Sequence, residues 1–274
     1  MIPQDVHFFR RERYIGGMLN STVVSRINVT PELMILRVRP DAGVPQFLPG
    51  QYVALGLLGS APRYEGAEEE VEAPAADKVI KRAYSIGSSP DERDFLEFYI
   101  AVVPSGVLTS RLAVLKEGDR LFCQPKVTGT FTLDGVPEHK NLVLVSTGTG
   151  LAPFMSMVRT SATLLGARAI TVVHGVRYPQ DFAYAEELGT LENTSKGFAY
   201  LPIASRAPEG WPGRRGRIQK LFEEGVLSLD PDSDHVFLCG NPAMIDELEA
   251  DLTNSGFVVH SKKTPGNLHI EKYW

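Results

Sequence analysis

The spacing of apolar and polar positions changes rhythm near residue 140. Upstream, short runs alternate between the two classes at 21–28, 33–39, 51–57, 79–86, 95–103 and 119–124, with Pro, Gly and Asp turn signals between them. A period of two marks half-buried strands, and a series of them predicts an antiparallel barrel or sandwich. One helix interrupts the series over 108–115, with Thr109 as its expected N-cap. Downstream, strands at 141–146, 169–176, 199–204, 235–238 and 257–260 alternate with helices at 152–165, 181–191, 216–224 and 242–254. That order predicts right-handed crossovers and a parallel sheet.

Two domains follow from this change. An extension over 1–18 precedes an antiparallel β-barrel domain over 19–138. An α/β parallel-sheet domain covers 139–274, and the seam falls near 135–140. Residues 59–78, GSAPRYEGAEEEVEAPAADK, are rich in Glu, Ala and Pro and poor in core residues. They read as a solvated loop or a long hairpin extension, with a lid or partner contact as the lesser reading.

Charge and cysteine usage narrow the function classes. The chain of 274 residues has 28 Lys+Arg against 33 Asp+Glu, a net charge of −5, which gives no bulk attraction for nucleic acid or anionic lipid. Cys123 and Cys239 form no CxxC, and the six histidines show no HxxxH or HExxH, so neither a disulfide framework nor a metal site is expected. No apolar run is long enough to cross a bilayer. The start, MIPQDVHFFRRERYIGGML, carries charges where a secretory peptide needs its apolar stretch, so the cytoplasm is the expected compartment.

Several segments carry chemistry. Arg82-Ala83-Tyr84-Ser85 combines a cation, a flat ring and a hydroxyl on one strand, and alternation sets Arg82 and Tyr84 on the opposite face from Ala83 and Ser85. Taken alone it is equally an edge strand with an exposed Arg and a packed Tyr. Pro104-Ser105-Gly106-Val107-Leu108-Thr109 opens the helix of the first half, and a helix N-terminus suits a pyrophosphate. The run SerThrGlyThrGlyLeuAlaPro at 146–153 passes from an apolar strand through two glycines into a helix, a second phosphate cradle that is neither GxGxxG nor a Walker loop. Arg177, Arg206, Arg214, Arg215 and Arg217 follow later strands, whose ends share one ligand rim in an open parallel sheet. Arginines there suit a 2′-phosphate, with Arg206 and Arg217 favoured over Arg214. Cys239-Gly240-Asn241-Pro242-Ala243-Met244 reaches the same rim. Two aromatics, Tyr273 and Trp274, close the chain, where they pack on the core or stack on a planar cofactor.

Together RAYS, FY followed by VPSGVLTSRL, GTF, STGTGLAPF, HGVRY, SR, GRI, CGNPAM and EKYW resemble the ferredoxin–NADP reductase family, in particular its bacterial ferredoxin/flavodoxin reductases. The resemblance implies FAD on the barrel and NADP(H) on the α/β half. It implies that Arg82 meets the FAD diphosphate, that Tyr84 packs on the isoalloxazine and that Ser85 bonds near N5, which makes Ser85 and Tyr84 the residues nearest the chemistry. Ala83, Tyr99, Ile100, Ala101, Val107, Leu108 and Thr109 would line the rest of the FAD path, and Tyr273 and Trp274 would stack on it. Thr149 would serve both cofactors. Gly150, Val176, Arg177, Ser205, Arg206, Arg217, Cys239, Gly240, Asn241 and Met244 would hold NADP, and Glu271 would help near the ring.

The implied reaction is hydride exchange between nicotinamide and flavin N5, followed by single-electron exchange with a ferredoxin or flavodoxin. A monomer is implied, and Lys78, Lys81, Arg82, Arg93 and Lys126 are the expected contact for an acidic carrier. The insert at 59–78 is longer than the usual connection before RAYS. Two other readings stay open: the reductase component of an oxygenase system, and a flavin-binding electron-transfer subunit or redox sensor without turnover.

Overall fold

The alternating runs of the first half become one sheet. In the computed structural model, which describes residues 18–161 and 168–273, the strands are β1 (Ser21–Thr30), β2 (Leu33–Pro40), β3 (Tyr52–Leu58), β4 (Val79–Ser85), β5 (Leu96–Ala101) and β6 (Arg120–Cys123). They form a six-stranded sheet in the order β4-β3-β6-β1-β2-β5, antiparallel at every pairing. Just past β4, the Gly87 N–H donates to the Glu97 carbonyl at 2.7 Å and joins the two outer strands. Period-two alternation sends Met34, Leu36 and Val38 of β2, Val53, Leu55 and Leu57 of β3, and Leu96, Phe98 and Ile100 of β5 into one core.

The expected helix is shorter than 108–115. Helix α1 is Thr109–Leu112, its cap is Leu108, and no side chain caps it. Thr109 is therefore not the N-cap. Its hydroxyl instead lies 3.2 Å from the Val103 N–H and 3.3 Å from the Val103 carbonyl, closing the turn before the helix. The chain after Leu112 tightens because Arg26 of β1 donates to the carbonyls of Ala113 at 2.5 Å and Leu115 at 2.8 Å. A cation at a helix C-terminus also complements the helix dipole.

In the second half, β7 (Asn141–Thr147), β8 (Ile170–Val176), β9 (Phe198–Ala204), β10 (Arg214–Arg215), β11 (Asp234–Gly240) and β12 (Leu268–Lys272) form a parallel sheet. Its order is β10-β9-β8-β7-β11-β12. Helices α2 (Ala152–Ser161), α3 (Ala185–Thr194), α4 (Gln219–Glu223) and α5 (Pro242–Asn254) lie between the strands in sequence. Ile245, Leu248 and Leu252 of α5 recur at helical spacing and pack with Val143, Val145, Val236 and Leu238. Two expectations shift here. The 257–260 run makes one bridge, Val259 to Leu268, and the free edge of β11 pairs instead with Leu268–Lys272. Helix α3 starts at Ala185 rather than near 181, after a 3₁₀ turn at Pro179–Asp181.

Contacts divide the chain between Gly129 and Thr130, ahead of the expected seam at 135–140. The reason is Phe131, whose ring lies 5.9 Å from Phe154 and 5.3 Å, edge-on, from Phe237. Among the described residues no helix is long and apolar enough to cross a membrane. Phe98 is fully enclosed at the centre of the barrel core. Phe98→Ala should cost about 3–5 kcal/mol of stability, read as an earlier denaturant midpoint for the first unit; an unshifted midpoint would contradict this core.

Candidate functional site

The antiparallel unit gathers one set of groups around β4 and α1. β4 pairs with β3 so that Ser85 faces Tyr52, Tyr84 faces Val53, Ala83 faces Ala54 and Arg82 faces Leu55. Ser85 is buried, Tyr84 is partly buried against the barrel core, and Ala83 and Arg82 are exposed. Burial raises the Tyr84 phenol well above its ordinary value, and nearby Arg82 only partly opposes this. Arg82 donates to the carbonyl of Lys81 at 2.8 Å, which leaves most of its donors facing outward. Tyr99 and Ile100 are buried on β5, and Ala101 ends it. The side chains of Ile100 and Leu108 belong to the barrel core, so these positions offer only main-chain groups to a ligand.

The turn before α1 has unbonded donors. Gly106 N–H bonds the Val103 carbonyl and Ser110 N–H bonds the Gly106 carbonyl. The N–H groups of Val107, Leu108 and Thr109 between them have no acceptor among the described residues. Consecutive free N–H groups at a helix start suit a diphosphate, and Arg82 supplies a full cation on the same unit. This donor set fits a flavin dinucleotide.

The parallel unit gathers its groups at the strand ends. The chain moves outward from β7 through β8, β9 and β10, then returns to β11 and β12 on the other side of β7, so β7 and β11 flank the topological switch point. There the backbones touch. A Cβ on Gly150 would lie 2.4 Å from the Cys239 carbonyl, and one on Gly240 (φ +131°) would lie 2.3 Å from Thr147 Oγ1. Thr147 Oγ1 accepts the Asn241 N–H at 2.8 Å, and Asn241 Oδ1 accepts from Ala243 at 2.8 Å and Met244 at 3.4 Å to cap α5. Thr149 and Cys239 are buried beside them.

Cys239 pairs in register with Glu271. Burial first, then the Glu271 charge, raise the thiol far above its ordinary value, while a hydrogen bond with Tyr273 opposes them. Burial and the neighbouring charge thus favour the neutral thiol at Cys239. Tyr273 donates its N–H to the Gly240 carbonyl at 3.5 Å, so the tail reaches this rim; Trp274 lies outside the described residues. Further along, Ser205 and Arg206 donate their N–H groups to Val176 and Arg177 carbonyls at 2.9 and 2.7 Å. Arg177, Arg206, Arg214, Arg215 and Arg217 are all exposed and make no ion pair among the described residues.

Residues 66–131 match the family described as oxidoreductase FAD-binding domain, and residues 144–249 match the oxidoreductase NAD-binding domain. A ferredoxin–NADP reductase of Pseudomonas aeruginosa is 35% identical over 240 residues, 83% of this chain and 86% of the relative. The chain belongs to the ferredoxin–NADP reductase family. A flavodoxin/ferredoxin–NADP reductase of Escherichia coli is 32% identical over 90% of this chain and 95% of its own length. Among solved structures, a ferredoxin NADP+ reductase from Neisseria gonorrhoeae with bound FAD and NADP aligns at a TM-score of 0.78 and 26% identity, covering 93% of this chain and 98% of that one.

Sequence reasoning missed two members of this reductase's rim. Thr147 ties the β7 turn to β11, and only the strand-turn string around it hinted at that. His174, inside HGVRY, is fully buried, with Nε2 3.2 Å from the Gly148 carbonyl and Nδ1 without a partner. The neutral ring with its proton on Nε2 satisfies that geometry and braces the glycine turn. Burial lowers His174 to about 4, whereas an unfolded histidine titrates near ~6.5. The unfolded chain takes up the proton first, so this contribution to stability is whole above ~6.5 and declines as pH falls toward the folded value. His174→Gln, which keeps an N–H for Gly148, should remove about 3 kcal/mol of the stability lost between pH 7 and pH 4. Denaturant titrations at both pH values check this, and an unaltered pH slope would refute it.

Proposed function

We propose that this chain transfers electrons between NADPH and a ferredoxin or flavodoxin, using FAD. The observation that carries the reading is a pair of separate cradles in one chain: N–H groups at 107–109 in the antiparallel unit, and exposed arginines at the strand ends of the parallel one, neither with a partner among the described residues. When bound, FAD supplies the interchange between hydride chemistry with a nicotinamide and single-electron chemistry with a carrier.

The protein's own residues bind, orient and shield. Arg82 and the N–H groups of Val107, Leu108 and Thr109 hold the FAD diphosphate. Ser85 would offer its hydroxyl near N5, and Tyr84, Ala83, Tyr99 and Ala101 would line the ring and its chain. Arg206 and Arg217 hold the 2′-phosphate of NADPH, with Arg177, Val176 and Ser205 beside them. Thr149, Gly150, Cys239, Gly240, Asn241 and Met244 would receive the nicotinamide end, and the terminal aromatics Tyr273 and Trp274 would serve as a stacking tail for FAD. The neutral states of Cys239 and Tyr84 mean that neither acts as a base at neutral pH.

Lys78, Lys81, Arg82, Arg93 and Lys126 are exposed cations on an otherwise acidic chain and would be the contacts for an acidic carrier. The free cysteines Cys123 and Cys239 go with a reducing, cytoplasmic setting.

Purified protein should bind FAD and reduce ferricyanide and ferredoxin with NADPH. NADPH-inert protein would leave the reading of a module without turnover, and a preference for NADH would favour the oxygenase-reductase reading. Arg206→Ala should raise KM for NADPH by about tenfold or more and leave NADH turnover unchanged, as expected for loss of a charge-assisted phosphate contact. Equal effects on both nucleotides would remove Arg206 from the 2′-phosphate.

A further inference from the structure

Residues 59–78 are not a free loop. Their neck is a hairpin: Gly59 N–H donates to the Lys78 carbonyl at 2.8 Å and Ser60 N–H to the Ala76 carbonyl at 3.0 Å. The rest folds onto the turn and helix that carry the unbonded N–H groups. Tyr64 N–H donates to the Ser110 carbonyl and Glu68 N–H to the Pro104 carbonyl, both at 3.0 Å. Arg63 Nε donates to Ser110 Oγ at 3.1 Å, and the Tyr64 ring packs against the barrel core.

The central contact is ionic. Arg111 of α1 grips the Glu70 carboxylate with both terminal nitrogens, at 2.6 and 3.0 Å. The same guanidinium donates to the Val107 carbonyl at 2.7 Å and the Gly59 carbonyl at 2.8 Å. Its side chain is 3% exposed and that of Glu70 is 11% exposed. Arg63 Nε lies 3.9 Å from the same carboxylate. One buried cation thus spans the insert, its neck and the first residue of the unbonded run.

We propose that the 59–78 insert is a clamp that retains FAD, with Glu70 as its positioning residue acting through Arg111 on the Val107–Leu108–Thr109 turn. The physical argument is pre-organisation. A turn with unbonded N–H groups relaxes toward water or other acceptors unless its carbonyl side is fixed, and a bidentate, shielded pair fixes it in both distance and angle. Removing the carboxylate leaves the buried guanidinium partly unsatisfied, so Arg111 turns toward other acceptors and its hold on Val107 weakens. The inference rests on the FAD reading of that turn.

The test is FAD affinity of the full chain, read as recovery of flavin fluorescence on dissociation. Glu70→Gln should weaken FAD binding by about tenfold or more, and Glu70→Asp should restore part of the loss. The hydrogen bonds from Arg111 hold the Glu70 carboxyl below the usual carboxylate range, with Arg63 adding to the effect. FAD affinity of the unaltered protein should therefore persist below that range and fall as Glu70 takes up its proton, while Glu70→Gln stays flat across the same interval. A loss caused by misfolding would not follow that pH profile, and far-ultraviolet dichroism of the apoproteins provides the folding control. Gly106→Ala separates the two readings, because a Cβ there would lie 2.2 Å from Thr109 Oγ1 and 3.0 Å from the Val103 carbonyl and so displaces the turn itself. If Gly106→Ala loosens FAD and Glu70→Gln does not, the clamp is overturned. If neither loosens FAD, the turn does not hold the diphosphate, and the clamp falls with it.

Discussion

Main-chain donors without a protein acceptor are rare in folded chains, because leaving one buried costs as much as a lost hydrogen bond. The antiparallel unit concentrates them at one place. Thr109 is the first residue of α1, and its hydroxyl bonds the Val103 backbone. The N–H groups of Val107, Leu108 and Thr109 have no acceptor among the described residues, and the surroundings are arranged to keep that turn in shape. Arg26 holds one end of α1 through the Ala113 and Leu115 carbonyls, and Arg111 holds the other through Val107. A four-residue helix has little stability of its own. Here its position comes from cations on its carbonyls and from Leu108 and Leu112 in the barrel core.

The parallel unit reaches a comparable end by contact rather than by vacancy. At the switch point the β7 turn and the end of β11 lie at van der Waals distance, and only residues without a Cβ fit at 150 and 240. That closeness lets Thr147 bond Asn241 across the gap and lets Asn241 cap α5 in turn. His174 supports the same turn from beneath. The rim is thus built mostly from backbone, with the charge supplied further out by arginines that make no ion pair among the described residues. The net charge of −5 means that these cations are a local feature and not part of a generally basic surface.

Most of the architecture was legible in the sequence because burial on one face imposes a period that the residues cannot hide. Each barrel strand fell within a few residues of its expected place. The failures have physical causes. Phe257 to His260 is more β-like in composition than Leu268 to Lys272, but pairing depends on which segment reaches the open edge of β11 in register. Helix α1 was drawn too long because the carbonyl grip of Arg26 comes from 87 residues away in sequence. The site was legible in its glycines and arginines, whose spacing is local. Thr147 and His174 were not, since their importance lies in partners just past the ends of other strands, Asn241 and Gly148. The acidic composition of 59–78 suggested solvation, and nothing local indicated that Arg111 would bury one of its carboxylates.

The insert leaves the β3–β4 ladder intact. It departs from the β3–β4 hairpin after Leu58 and rejoins at Val79, and those two residues still face each other as the last pair of the ladder. Chain can be gained or lost at such a tip without shifting any strand register, so the barrel tolerates length variation there as a graft tolerates its stock. A tight turn between Leu58 and Val79 would leave the RAYS strand in the same register but without the carboxylate that reaches Arg111.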